Sequence, residues 1–452
     1  ILQGAHGLGI EGIALHRNFV SLSYRADGQP HVAYMTKSAA AADFLAGRPW
    51  RFTELLPPAL EDDWDMVADD RENFTGDHGE ILWTEDEAPT DHTSSSDGAS
   101  DDHLPGETPG ACHTIGVGGN PSYEAPRMRY SFASYTRPGE LHEIDPATGE
   151  DALLKRATVL GNFNPRDYME RRVWITARDG ERIPVSLVWH RDCPAQDSPM
   201  FITGYGAYEI SSDPGFSVSR LSMLDRGVLY AVPHIRGGGE MGRAWYEQGR
   251  RLNKKHSFED FVDATRALQK AHLADAWRTV ANGGSAGGLL MGAIANMAPE
   301  CYAGVEADVP FVDALTSILD PDLPLTVTEW DEWGDPLHDP EVYQYMKSYT
   351  PYENVPVACS RAATTRLPVT AVLMAPIALQ SAVQIGVSPV PFLFAVTVAA
   401  SMCFASPFST PPNALVMPAG QYTFMDYIKV GLPLQIIMGV VMVFVLPLLF
   451  PF

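Results

Sequence analysis

The stretch Asn282-Gly-Gly-Ser285-Ala-Gly-Gly288 has the residue types and spacing of a serine nucleophile. A serine oxygen that attacks a carbonyl must stand clear of the backbone on a tight turn. Gly283 and Gly287, two residues to either side, leave the space such a turn needs. If the turn joins a strand to a helix, the helix dipole and its first free amides face any negative charge that develops there. The competing reading is a glycine-rich turn with an incidental serine, and the flanking elements decide between them.

Those elements favour the nucleophile. Upstream, Trp277-Arg-Thr-Val-Ala281 reads as a short buried strand, and downstream Leu289-Leu-Met-Gly-Ala-Ile-Ala-Asn-Met297 reads as an apolar helix. A second glycine-rich stretch, Gly237-Gly-Gly-Glu-Met-Gly242, follows a strand-like run at 227–233 and matches the spacing of a dinucleotide loop. Bulky Arg243-Ala-Trp245-Tyr246 follows it where a small-residue helix should open, so no nucleotide cofactor is expected. The nearest acids, Glu259 and Asp260, fall in a helix start, with Ser257 read as the N-cap and Asp260 as its capping-box partner. Further on, Glu329 and Asp331 lie two apart after the β-prone run 325–328. In extended chain they share one face, where a guanidinium could bridge them.

The ordered blocks Gly204-Tyr205-Gly206-Ala-Tyr208, His234-Ile-Arg236-Gly-Gly-Gly-Glu240, Trp245-Tyr-Glu-Gln-Gly249, Val309-Pro-Phe-Val-Asp313, Glu329-Trp-Asp331-Glu-Trp-Gly334 and Met346-Lys-Ser-Tyr-Thr-Pro-Tyr-Glu-Asn-Val355, together with the Ser285 turn, resemble the catalytic domain of the prolyl oligopeptidase family, and within it oligopeptidase B. The resemblance implies an α/β-hydrolase domain over 166–355 and an acyl-enzyme on Ser285. It also implies an oxyanion held by the Ala286 amide and the Tyr205 hydroxyl, an acidic subsite at Glu329 and Asp331, and cleavage of short peptides after Arg or Lys. No cofactor or metal is implied.

In that layout the acid and then the histidine follow the serine, each after a later strand. The last histidine is His338, in Asp335-Pro-Leu-His-Asp-Pro340, where it reads as a loop residue, and none occurs in 339–452. Without a base the hydroxyl stays protonated, and loss of a triad member typically leaves only about 10³- to 10⁴-fold catalysis over water. The expectation is therefore an incomplete α/β hydrolase whose serine is nearly idle.

Residues 1–165 alternate hydrophobic and polar positions between turn signals and show no helical periodicity. Asn18–Tyr24 with His31–Met35, and Arg129–Tyr135 with Leu141–Asp145, read as hairpins of propeller blades. Blades take about 40–50 residues each, so this length holds only part of a β-propeller, truncated at Ile1. Between the hairpins, 61–120 is acidic and rich in Ser, Gly, Asp and Pro, which predicts a disordered insertion. Its carboxylates lack the spacing of an EF-hand Ca²⁺ loop.

After Val355 the composition changes. Residues 356–452 carry only Arg361, Arg366, Asp426 and Lys429 as charges, with uncharged runs at 367–387, 391–405 and 430–452. Such runs suit helices crossing a hydrocarbon layer of about 30 Å. The stretches 370–376, 404–416 and 422–433 resemble the C-terminal part of divalent-anion sodium symporters, with Thr410 and Asn413 at ion-binding positions. Only part of one repeat is present, so the tail reads as a permease fragment joined to a truncated peptidase. The second functional reading is thus a membrane protein with an inert peptidase-derived head, associated through residues 367–452.

The net charge of −24 argues against nucleic acid as a partner, and nearly all of it lies ahead of the tail. Five widely spaced cysteines without a CxxC pair suit a reducing cytosol and no zinc site. The peptidase part is accordingly expected in the cytoplasm, and the chain at a membrane if the tail inserts.

Overall fold

Asp27 and Gly28, both at positive φ (50° and 75°), form the two-residue turn between Phe19–Ala26 (β2) and Gln29–Thr36 (β3), whose ends pair at Ala26 and Gln29. A left-handed pair of this kind matches the twist of the flanking strands, which is why Asp-Gly closes the hairpin here. The computed structural model describes residues 9–58, 80–81, 112–161, 163–193, 195–323, 325–355 and 423–449. By compactness the chain divides into two units, Ile1–Leu367 and Pro368–Phe452.

In the first unit, Gly9–Leu15 (β1), β2, β3 and Thr53–Glu54 (β4) form a four-stranded antiparallel meander. His113–Val117 (β6), Met128–Ser134 (β7), Glu140–Ile144 (β8) and Asp151–Arg156 (β9) form another, and Glu80–Ile81 (β5) lies between the two in sequence. Alternate residues of β7 and β8 are buried, and the two sheets share a core of Phe19, Val32, Tyr34 and Leu55 with Ile115, Met128, Tyr130 and Phe132. Two features differ from the sequence expectation. Lys37–Leu45 is a helix (α1), carried by its alanines and by the Thr36 hydroxyl, which accepts the Ala39 amide. The end of the expected insertion is ordered as β6, because Cys112 and Ile115 are buried; most of 61–120 otherwise lies outside the described residues.

The third sheet is the α/β-hydrolase layer. Its order is β15-β14-β12-β13-β11-β10-β5, with Tyr168–Thr176 (β10) and Arg182–His190 (β11) antiparallel. Ser198–Thr203 (β12), Leu229–Pro233 (β13), Ala274–Gly284 (β14) and Gly304–Asp308 (β15) run parallel. The crossovers contain Val218–Leu224 (α2), Arg243–Glu247 (α3), Lys255–Lys270 (α4) and Ala286–Met297 (α5). Buried Phe258, Phe261 and Leu268 of α4 and Leu289, Met291 and Ile294 of α5 supply its hydrophobic faces. The chain leaves β12 to build β13 on one side and β14 on the other, so the order reverses at β12. Such a switch opens a crevice at the carboxyl ends of the strands.

Ala314–Leu319 (α6), Thr326–Trp333 (α7) and Pro340–Lys347 (α8) follow. In the second unit Phe424–Leu449 (α9) is described, and its segment Met425–Met442 is long and apolar enough to cross a membrane. The expected runs 367–387 and 391–405, and Thr410 and Asn413, lie outside the described residues.

Candidate active site

Ser285 stands between β14 and α5 with φ 58° and ψ −114°, a backbone conformation that non-glycine residues seldom adopt and that persists only where the surroundings enforce it. Four backbone bonds do so. The Ser285 amide donates to the Asp308 carbonyl at 2.9 Å, and the Ser285 carbonyl accepts the amides of Gly288 (2.9 Å), Leu289 (3.2 Å) and Phe311 (3.2 Å). The glycines are needed sterically, since a Cβ on Gly283 would lie 2.4 Å from the Gly287 carbonyl oxygen and one on Gly287 would lie 2.7 Å from that of Gly204. The Ser285 side chain is exposed, and among the described residues the Ala286 amide has no backbone acceptor. It is free to donate to an oxyanion.

Tyr205 comes from the neighbouring strand. β12 pairs with β14 at Thr203 and Asn282, the Gly204 amide donates to the Asn282 carbonyl at 3.2 Å, and the next residue is Tyr205, whose phenol lies beside Ser285. Burial raises the Tyr205 phenol above its usual range, and Glu332 and Glu329 reinforce this against the opposing effect of Ser285. A protonated donor therefore faces the serine. Gly237 carries the loop's support. At φ 93° it lies so close that a Cβ would meet the Gly206 carbonyl oxygen at 2.2 Å. The glycine-rich stretch 237–242 is thus a buttress for the Tyr205 loop.

Asp260 sits below this buttress with both carboxylate oxygens on the Arg236 guanidinium, at 2.9 and 2.5 Å. The capping box expected at Ser257 is not formed. Helix α4 begins at Lys255, Ser257 is already inside it, and the Ser257 hydroxyl donates to the Arg236 carbonyl at 2.6 Å.

The extended geometry expected for Glu329 and Asp331 is also corrected, because both lie on α7, where residues two apart diverge by about 200°. Glu329 accepts the Tyr208 hydroxyl at 2.5 Å and the Trp333 indole N–H at 3.0 Å. Asp331 is 82% exposed and pairs with Arg251 at 2.5 Å. The helical spacing of Glu329 and Trp333 makes their bond possible, and Gly334, at φ 93°, ends the helix. The sequence reading missed Lys254 and Glu332. Glu332 is buried on this helix and Lys254 is buried against it, their charges 3.6 Å apart.

His338 lies in a turn after α7, with its Nδ1 on Asp335 at 2.7 Å and its ring edge-on to Trp330. No group of three His, Cys, Asp or Glu side chains suited to a metal occurs among the described residues.

Residues 214–370 match the sequence profile of the prolyl oligopeptidase family. The match includes Ser285 and continues past Val355, where the sequence resemblance was expected to end. The chain is 47% identical to dipeptidyl aminopeptidase BI of Pseudoxanthomonas mexicana over 263 residues, 58% of this chain and 36% of that protein. The structure resembles oligopeptidase B from Leishmania major (TM-score 0.61, 32% identity, 78% of this chain and 42% of that one). It also resembles oligopeptidase B from Trypanosoma brucei with covalently bound antipain (TM-score 0.60, 31% identity, 78% and 42%). The chain spans about a third of the length of the curated relatives it matches. The symporter likeness of the tail finds no support in these comparisons.

Proposed function

We propose that this chain carries the nucleophile, the oxyanion donors and part of the substrate subsite of a serine oligopeptidase that acts on short peptides after Arg or Lys. The observation that carries the reading is Ser285 on its glycine-enforced turn, with the Tyr205 phenol and the Ala286 amide beside it. In the reaction, the Ser285 oxygen bonds to the scissile carbonyl carbon, the oxyanion draws on Tyr205 and Ala286, and the amine leaves with a proton to give an acyl-serine. Glu329, turned toward the Tyr208 end of the same loop, is the carboxylate placed to receive a substrate cation. The covalent antipain adduct of the Trypanosoma brucei relative is consistent with such a centre.

The hydroxyl proton needs an acceptor, and no histidine follows His338. The same proposal therefore includes near-inactivity of this chain on its own. A fluorophosphonate probe should label Ser285 slowly and not label Ser285→Ala, while an arginine-ended reporter should turn over near background. Rapid turnover would refute the idleness, and absence of any labelling would refute the nucleophile.

A second reading, membrane association, is favoured by α9, with Met425–Met442 as its apolar span. Alkaline carbonate extraction of membranes should leave the chain in the pellet; release into the supernatant would exclude it. The same proposal puts the peptidase part in the cytoplasm, and the chain at a membrane if the tail inserts.

A further inference from the structure

We infer that Lys254 is a positioning residue that locks the oxyanion loop to helix α7. This rests on the reading of Ser285 and Tyr205 as nucleophile and oxyanion donor. Lys254 is the N-cap residue of α4, is 2% exposed, and donates from Nζ to the Gly206 carbonyl at 2.6 Å, one residue beyond Tyr205. Gly206 has φ 68° and no room for a side chain, since a Cβ there would lie 2.6 Å from Ile235. Its carbonyl is thus pinned by the ammonium from one direction and wedged by Gly237 from another.

On its other side Lys254 meets α7. Its Nζ lies 3.6 Å from Glu332, whose second oxygen accepts the Tyr246 hydroxyl at 2.6 Å, and sits 4.8 Å above the Trp333 ring. Trp333 and Tyr208 both donate to Glu329, and Tyr208 belongs to the same loop as Tyr205. These contacts close a ring: Tyr205 loop, Lys254, Glu332, α7, Glu329, Tyr208 and back to the loop. An ammonium buried with one carboxylate partner and one carbonyl has no solvent role, and its placement serves the Gly206 bond. A cation bound at Glu329 would compete for the carboxylate that holds Tyr208, so subsite and oxyanion loop share one fastening.

The test uses the full chain with Lys254→Met/Glu332→Gln, which removes both buried charges together, and Lys254→Arg, which keeps a donor. Amide exchange should quicken about tenfold across 204–208 in the double variant, stay unchanged in α5 and β14, and be restored toward wild type in Lys254→Arg. Unchanged exchange at 204–208, or a uniform rise throughout the domain, would overturn the inference. In parallel, affinity for an arginine-ended peptide boronate should fall about tenfold in the double variant, and the same two substitutions should cause no further loss in a Tyr205→Phe background. Additive losses would overturn it. Loop loosening without any boronate adduct in the wild-type chain would support the positioning role and instead sink the nucleophile reading.

Discussion

Thr203 and Asn282 face each other across paired strands, the threonine hydroxyl donating to the asparagine side-chain carbonyl at 3.1 Å. Two steps past the one and three past the other stand Tyr205 and Ser285, so a single strand register brings phenol and hydroxyl together. The switch in strand order at β12 makes this register available.

Gly283→Ala should abolish fluorophosphonate labelling of Ser285, because the added methyl would press on the Gly287 carbonyl at 2.4 Å. Chemical denaturation should show a loss on the order of 1–3 kcal/mol. Normal labelling in the alanine variant would mean that the turn relaxes without consequence.

Tyr205→Phe removes a donor but little volume. It should weaken binding of a tetrahedral boronate about 100-fold and leave the melting temperature within a few degrees of wild type. Equal affinity in the two proteins would show that the phenol does not hold the oxyanion.

The two acidic positions of α7 should behave differently. Glu329→Gln is expected to lower affinity for an arginine-ended peptide about tenfold, measured by calorimetry. Asp331→Asn should change it less than about twofold, since that side chain is exposed and already paired with Arg251. Reversed effects would move the subsite to the outer face of the helix.

Burial lowers the Lys254 ammonium to about 8 despite the attraction of Glu332. The folded state then releases a proton that the unfolded chain keeps until about 10.5, so stability should rise as pH goes from 8 toward 10. Urea titrations should show a gain on the order of 2 kcal/mol over that interval relative to Lys254→Met/Glu332→Gln. Glu332, Tyr246 and the Trp333 ring are the groups facing the ammonium, and the double variant removes the one charge among them. A slope identical in both proteins would assign the pH dependence elsewhere.

The Ser285 turn was legible because its requirements are local: two glycines, a strand before and a helix after. The Asp27-Gly28 hairpin was legible for the same reason. Helix α7 was not, since Thr326-Val-Thr328 favours a strand by composition, and the helix is secured by Tyr208, Trp333 and Tyr246, whose contacts on Glu329 and Glu332 become visible only in the fold. Lys254 was hidden in the basic run Arg250-Arg-Leu-Asn-Lys-Lys255, which reads as a solvated surface, and its partner Glu332 lies far along the chain. Helix α1 escaped because its four alanines set no apolar stripe, although they favour a helix.

The pairing of β12 with β14 also orders events in time. Its two strands are made 79 residues apart, as measured from Thr203 to Asn282, and β13 must be threaded to the far side of β12 in between. During synthesis from the N-terminus, the loop bearing Tyr205 leaves the ribosome long before its serine. A nascent chain arrested before Asn282 emerges would display the phenol with no serine beside it. Reactivity toward a serine probe should therefore arise abruptly with chain length, which makes ribosome-bound truncations a clock for the maturation of this sheet.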